Sequence, residues 1–395
     1  MKKIVLFIAV FLLSLNFAFA DFGVVISEGF LIEDKATETD YSSKTIVAPW
    51  FSYPFGNSDL YVSAGASLRY ENTWSVVPEL FKLELALRPS PRFALRLGRI
   101  LWQDPSLFTA FGYLDGMDIS FNLGGTRIGL AGFYTGFLNM DTASINISPG
   151  DPNDYSKQVD WDNFSDTYFA PRRVIASLYG DFPGFPYGRG NIHAGLMAQF
   201  DLSETNEKYN TQYLLLRYTF YYKSFDLSLA GAADLENTEA NGYKLGYAFN
   251  AELGLQTGLL KDRFSIGARY ASGSDSDTAA FFPLIREAQG AVLTPVLSGI
   301  MIARARYQVR LSPSVGVYVG GRYFIRTDST TFIDPYIDND SRLLGLEADG
   351  SIQWNPVSDL AFTLGGGVYF PQTAPAMDKD APLRWSLKVS GIFSF

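Results

Sequence analysis

Along most of this chain apolar and polar side chains alternate one for one. Near the C-terminus Leu383, Trp385, Leu387, Val389, Gly391, Phe393 and Phe395 form one set, and Arg384, Ser386, Lys388, Ser390, Ile392 and Ser394 the other. Successive side chains of a strand point to opposite faces, so this segment has an apolar and a polar face; a helix would mix the two sets. The pattern recurs from Phe81 to Arg88, Leu214 to Lys223, Tyr243 to Gly254 and Met301 to Arg310. Further segments start near Leu60, Arg92, Asp115, Arg127, Arg173, Asn191, Phe225, Arg263, Ser314, Leu343 and Asp359, with weaker ones near Phe22 and Lys44. The spacing predicts an all-β chain of about 18 strands (roughly 16 to 18), each about 10 to 14 residues long. Turn signals such as Gly56-Asn57-Ser58-Asp59, Asn241-Gly242 and Ser312-Pro313-Ser314 join sequence neighbours as antiparallel hairpins.

Many alternating strands suit either a soluble sandwich, apolar faces inward, or a transmembrane β-barrel, apolar faces toward lipid. The predicted strands are longer than the 5 or 6 residues usual in soluble sheets and match the 9 to 11 needed to cross a bilayer at a tilt. Aromatics gather near strand ends, among them Tyr70, Tyr222, Tyr243, Trp354 and Phe370, where apolar chains meet headgroups. Unpaired backbone is too costly in lipid for an open sheet, so the sheet is expected to close.

Composition narrows the function classes. Charged residues are 18% of the 395, below the roughly 25% of soluble domains, and aromatics reach 15%. With no Cys, disulfide scaffolds and Cys-ligated zinc are excluded, and a single His cannot build a His-rich metal centre. Neither a metal nor an organic cofactor is expected, since no Walker loop, Rossmann fingerprint or zinc motif occurs. Enzyme readings also fail: His193 stands in Asn191-Ile192-His193-Ala194-Gly195 with no nucleophile motif, and reads as a polar inward residue. The cluster Asp151, Asn153, Asp154 lacks the spacing of a Ca²⁺ loop and reads as solvated acids.

The first twenty residues read as a cleaved signal peptide: Lys2 and Lys3, an apolar run from Ile4 to Phe17, and Ala18-Phe19-Ala20 before the break. Residues 21–395 then form one barrel, without a plug domain or linker. The net charge is −9, or −11 without Lys2 and Lys3, which argues against nucleic acid as a partner.

The last strand, with Trp385, Leu387, Val389, Gly391, Phe393 and terminal Phe395, resembles the closing strand of bacterial outer-membrane β-barrel porins. That resemblance implies location in the outer membrane, contact with its lipids including lipopolysaccharide-type ones, and Trp385, Phe393 and Phe395 as the signal read by the barrel-assembly machinery. A second stretch, Arg269 followed by Ala271-Ser272-Gly273-Ser274-Asp275-Ser276-Asp277 and Phe281-Phe282-Pro283-Leu284, resembles the strand-to-loop junction of alginate-export-type porins. It implies eighteen strands and an arginine-rich conduit.

If the apolar alternates face lipid, the other set lines the interior. It supplies Arg69, Arg96, Arg217, Arg269, Arg304, Arg306, Arg310 and Arg322, with Glu347 and Asp349 among fewer acids. An arginine facing lipid at the midplane would cost about 2 to 4 kcal/mol, so its place on one alternate set orients the strand. Arg304, Arg306 and Arg310, with Gln308 between, form a ladder of donors suited to carboxylate or phosphate. The competing reading of these charges is a self-neutralising ion-pair network. Barrels of about 16 to 18 strands leave an aqueous bore, which loops usually narrow. Two segments are candidates, Asn139 to Ala170 and Ser274 to Pro295, the second carrying Phe281, Phe282 and Arg286 as an expected constriction. The reading is a passive channel for small hydrophilic, anionic solutes. Two alternatives share the fold: an uptake barrel for hydrophobic compounds, suggested by Leu215, Ile302 and Phe324 on the inward set and requiring an apolar pocket with a lateral opening, and a plugged adhesive barrel with acidic surface loops. Nothing in the sequence sets the number of copies in an assembly.

Overall fold

The structure, a computed structural model, describes residues 20–34, 38–148, 150–151, 158–185, 188–203, 208–238, 242–258, 260–334, 341–372 and 382–395. The expected leader up to Phe19, and Asn153, Asp154 and Asn241, lie outside the described residues. Eighteen strands follow in chain order: β1 (Asp21–Asp34), β2 (Thr39–Phe55), β3 (Ser58–Glu71), β4 (Thr73–Ser90), β5 (Phe93–Gln103), β6 (Phe111–Leu123), β7 (Thr126–Tyr134), β8 (Arg173–Pro183) and β9 (Gly190–Asp201) form the first nine. The second nine are β10 (Tyr209–Tyr222), β11 (Phe225–Thr238), β12 (Gly242–Leu255), β13 (Asp262–Ala271), β14 (Ile300–Ser312), β15 (Val315–Arg326), β16 (Leu343–Val357), β17 (Leu360–Pro371) and β18 (Arg384–Ser394). Each pairs antiparallel with its chain neighbours, and β18 returns to β1 from Val25↔Ser394 to Asp34↔Trp385, closing the barrel. Backbone bonds between Val24 and Phe395, 3.1 and 3.0 Å, finish that seam.

The faces follow the alternation. On β10, Leu214 and Leu216 are 59% and 51% exposed while Thr211, Tyr213 and Leu215 are buried. A soluble sheet would do the reverse; a surface this apolar belongs against hydrocarbon. Exposed aromatics form two bands, Tyr222, Phe225, Phe264 and Trp354 at the end with tight turns, and Tyr41, Trp74, Tyr243 and Phe370 at the end with long loops. Two polar pairs break the outward rule. Glu28, between Ile26 and Phe30 on β1, accepts a hydrogen bond from Thr45 Oγ1, and Arg99 and Asp115 occupy outward alternates of β5 and β6.

Strands run from 9 to 18 residues, so the longest exceed the expected range. The excess in β4 has a cause. Phe81 is the extra residue of a bulge opposite Ser63 and Ala64, and above it β4 continues from Thr73 to Lys82 against β3 alone. Its contact with β5 covers only Leu83↔Arg99 to Ser90↔Phe93.

The apolar core sits inside the barrel. Loops 104–110, 135–172 and 272–299 bring in Phe108, Leu138, Ile145, Phe281, Leu284 and Leu297, which pack on the wall residues Trp102, Leu114, Phe133, Leu215, Ile302 and Phe324. The last two loops also join by backbone: Asn146 N–H donates to Leu284 O (2.8 Å) and Arg286 N–H to Ser144 O (2.8 Å). Each such buried side chain contributes about 1.5 to 3 kcal/mol, so the apolar inward positions serve as seats for folded-in loops.

Candidate functional site

Arg69, Arg96, Arg217, Arg269, Arg304, Arg306, Arg310 and Arg322 stand on inward strand positions, Arg286 lies on the loop 272–299, and the structure sorts most of the strand arginines into ion-pair groups. Glu252 on β12 sits between three: Arg304 Nη2 (2.8 Å), Arg263 Nη2 (2.9 Å) and Arg306 Nη2. Arg263 also clamps Asp226 on β11 through Nε at 3.0 Å and Nη2 at 2.5 Å. Arg310 turns to the carbonyl of Pro313, 2.6 Å away. The row Arg304, Arg306, Arg310 is therefore not a ladder of equivalent donors: two share one carboxylate and the third caps a turn. On β5, Arg96 bonds Glu84 (2.7 Å) and lies 3.7 Å from Asp118. Arg217 on β10 stands level with His193, whose Nδ1 is 2.6 Å from Asp181 Oδ1.

A further group binds the wall to the folded-in loop 272–299. Arg322 Nη1 meets Glu347 (2.7 Å) and Asp349 (2.9 Å). Glu347 is fully buried and also accepts the N–H groups of Ala291 (2.7 Å), Val292 (3.0 Å) and Leu293 (2.8 Å). Arg269 holds Glu287 (3.1 Å) and Gln289 (2.7 Å) of the same loop, and Ser386 Oγ donates to Ala291 O. Of the expected constriction residues, Phe281 is buried against Phe108, and Phe282 packs against Tyr209 at a tilt, with its N–H bonded to Asp234. Arg286 lies at the edge of open space.

That space is a cavity of about 720 Å³ beside β1, β2, β3 and β18, where Lys44, Arg69, Arg286 and Lys388 meet Glu28, Glu71 and Asp141. Glu28 bonds Thr45 on the outer side, and buried Glu79 of β4 faces Lys44 and Arg69 from behind, so four bases face three acids, Glu71, Glu79 and Asp141. Lys44 has no place among the residues the sequence singled out. The two alternate sets of β2, Tyr41-Ser43-Thr45-Val47 and Ser42-Lys44-Ile46-Ala48, hardly differ in polarity, so its direction is set only by register with Arg69. A second cavity, about 820 Å³, lies at the tight-turn end and is lined by Arg263, Gln308, Arg310, Tyr318, Gln353 and Asn355 among others. Asp151 is not a solvated acid: it is buried against Arg173 and Ser148.

The closed ring of eighteen antiparallel strands, apolar outside and narrowed by its own loops, decides the architecture. The fold is that of an outer-membrane porin barrel. Solved structures from Pseudomonas aeruginosa match along nearly the whole length. OccK1 (OpdK) aligns with a TM-score of 0.61 at 11% identity, covering 95% of this chain and 99% of that one. OccK2 (OpdF), solved in complex with glucuronate, gives 0.60 at 13% identity over 95% and 96%. OccD3 (OpdP) gives 0.56 at 12% identity over 95% and 91%. At such identities the likeness is one of fold. No protein-family model and no curated protein sequence matches the chain. These porins are Occ and Opd proteins, so the stretch after Arg269 does not place the barrel with alginate-export-type porins; its residues Ser272 and Gly273 to Thr278 instead hold a loop against β12 and Asp328.

Proposed function

We propose that this protein is a channel of the bacterial outer membrane, passing small hydrophilic solutes and favouring anions, with its long loops at the cell surface. The observation that carries the reading is the cavity in which Lys44, Arg69, Arg286 and Lys388 outnumber the acids directed into it. A basic constriction lowers the entry barrier for anions, and guanidinium groups hold carboxylates in two-point fashion. The arginines around Glu252 and Glu347 contribute less, because wall carboxylates hold them in fixed ion pairs: Arg263, Arg304 and Arg306 share Glu252 and Asp226, and Arg322 meets Glu347 and Asp349. OccK2 was solved with glucuronate, a sugar acid, and a solute of that size and charge suits the cavity found here.

Outer-membrane lipids are the medium of the apolar face, and the barrel-assembly machinery is the partner that reads Trp385, Phe393 and Phe395. Planar-bilayer recording under a salt gradient tests the reading. A reversal potential of anion-selective sign, moved toward cations when Arg69, Arg286 and Lys388 become Ser, supports it. Cation selectivity unaffected by those changes, or no conductance at all, overturns it.

A further inference from the structure

The barrel wall is interrupted on its long-loop half between β4 and β5. Above Leu83↔Arg99 no backbone pairing joins the two strands. Three features mark the point of separation. Gly98 has φ +105°, and a Cβ there would fall 2.2 Å from Leu83 O, so only glycine allows β5 to bend away at this place. Pro78 on β4, the register partner of Ala66 in β3, has no N–H to leave unpaired. Arg99 is 5% exposed and ties the parted edges, bonding Asp115 on β6 in two-point fashion (2.7 and 2.6 Å), the carbonyl of Leu80 on β4, and Phe137 O at 2.9 Å.

What fills the interruption is a strap built from residues 137–143 and 158–170. It includes two short helical turns, α1 (Met140–Ala143) and α2 (Phe164–Tyr168). Its two passes pair through Asn139↔Phe169 and Ala170 N–H to Leu138 O. It meets β4 through side chains: Tyr168 OH donates to Pro78 O (2.7 Å), and Thr142 Oγ1 to Glu79 (3.0 Å). Trp161, Phe164 and Tyr168 stack in sequence and Phe169 meets the last two edge-on, the contacting centroids lying 4.5 to 5.8 Å apart. On the inner side Asp141 pairs with Arg69, which also bonds Asn139 at 3.2 Å.

In lipid a barrel satisfies its backbone strand to strand. Here Pro78 and Leu80 receive side-chain donors instead, which can exchange without unzipping a ladder. The strap also has the chemistry of a ligand, a carboxylate on Arg69 joined to an aromatic body in the wall. We infer that β4 and β5 frame a lateral window between the lumen and the outer leaflet, gated by this strap, which admits an amphiphilic carboxylate whose head replaces Asp141 on Arg69 and whose tail replaces the aromatic group. The inference rests on the membrane-spanning reading of the barrel and not on its anion preference.

The test is photolabelling of the full protein in phospholipid vesicles with dodecanoate carrying a terminal diazirine, and with the matching uncharged alcohol. The chain contains no cysteine, so Pro78→Cys with Tyr168→Cys, joined by a short bis-maleimide, stitches the window shut. The expected result is acid-dependent labelling on residues 74–80 and 158–169, several-fold higher in Tyr168→Phe, which loses only the hydroxyl. It falls several-fold in the stitched protein, while bilayer conductance of that protein stays near wild type. Arg69→Gln should erase the preference for the acid over the alcohol. Labelling spread evenly round the apolar girdle, equal in wild type and Tyr168→Phe, or equal for acid and alcohol in wild type, overturns the window; should the stitched variant not assemble, Tyr168→Phe and Arg69→Gln decide alone.

Discussion

Arg322 and Glu347 face one another across the β15–β16 pair, Nη1 2.7 Å from Oε1, and the same carboxylate receives three backbone N–H groups of the folded-in loop. One buried acid thus fixes both the charge of the wall and the position of the loop that narrows the bore.

Replacing Glu347 with Ala should free that loop. Each buried N–H left without an acceptor costs about 1 to 3 kcal/mol, and Arg322 keeps Asp349 and the Tyr318 hydroxyl. Single-channel traces are expected to show larger, noisier openings, with Glu347→Gln between Ala and wild type. Unchanged traces would remove the latch.

Phe281 seats the same loop in the interior. Phe281→Ala removes a fully buried ring, a change that costs about 3 to 5 kcal/mol in packed cores. The expected outcomes are a higher mean conductance and faster hydrogen exchange at the Phe281 and Leu284 amides, with the barrel still resistant to unfolding in detergent.

Lys44 separates the cavity beside β1, β2, β3 and β18 from the one at the tight-turn end as the source of selectivity. Lys44→Ser, beside Arg69 on the adjoining strand, should move the reversal potential toward cations more than Arg310→Ser, whose guanidinium is turned to Pro313 O. Equal shifts would assign selectivity to overall charge.

Asp328 provides a pH readout outside the membrane span. Burial acts to raise its pKa, but donors from Thr331, Thr330 and Ser274 outweigh it and hold the carboxyl below the usual range. A depressed pKa means its contribution is complete above the unfolded value, about 3.9, and is lost as pH falls through the lower folded value. Exchange protection at Ser274 and Thr331 should therefore hold down to pH 5 and fade only below about 4, whereas Asp328→Asn should reduce it at every pH.

The terminal strand offers a test of assembly. Phe395 exchanges two backbone bonds with Val24 at the seam and leaves its ring exposed on the outer surface. Phe395→Ala keeps both bonds, so folding in detergent should match wild type, while the amount of heat-modifiable barrel recovered from cells should drop several-fold. Equal recovery would deny the ring its role as a signal.

Strand number, strand direction and the outward placement of Leu214, Leu216, Leu387 and Val389 were all readable in the chain, because a period of two is a local property that survives without knowledge of neighbours. The inward direction of Arg304, Arg322 and Glu347 followed from the same rule. What the tertiary structure alone decided is whom those side chains meet. Glu252 joins three arginines from two other strands, Lys44 gains its direction from the register with Arg69, and the parting of β4 from β5 at Gly98 leaves no trace in the alternation of either strand. Charge pairing and loop packing depend on distances between residues far apart in sequence, and these exist only once the ring has closed.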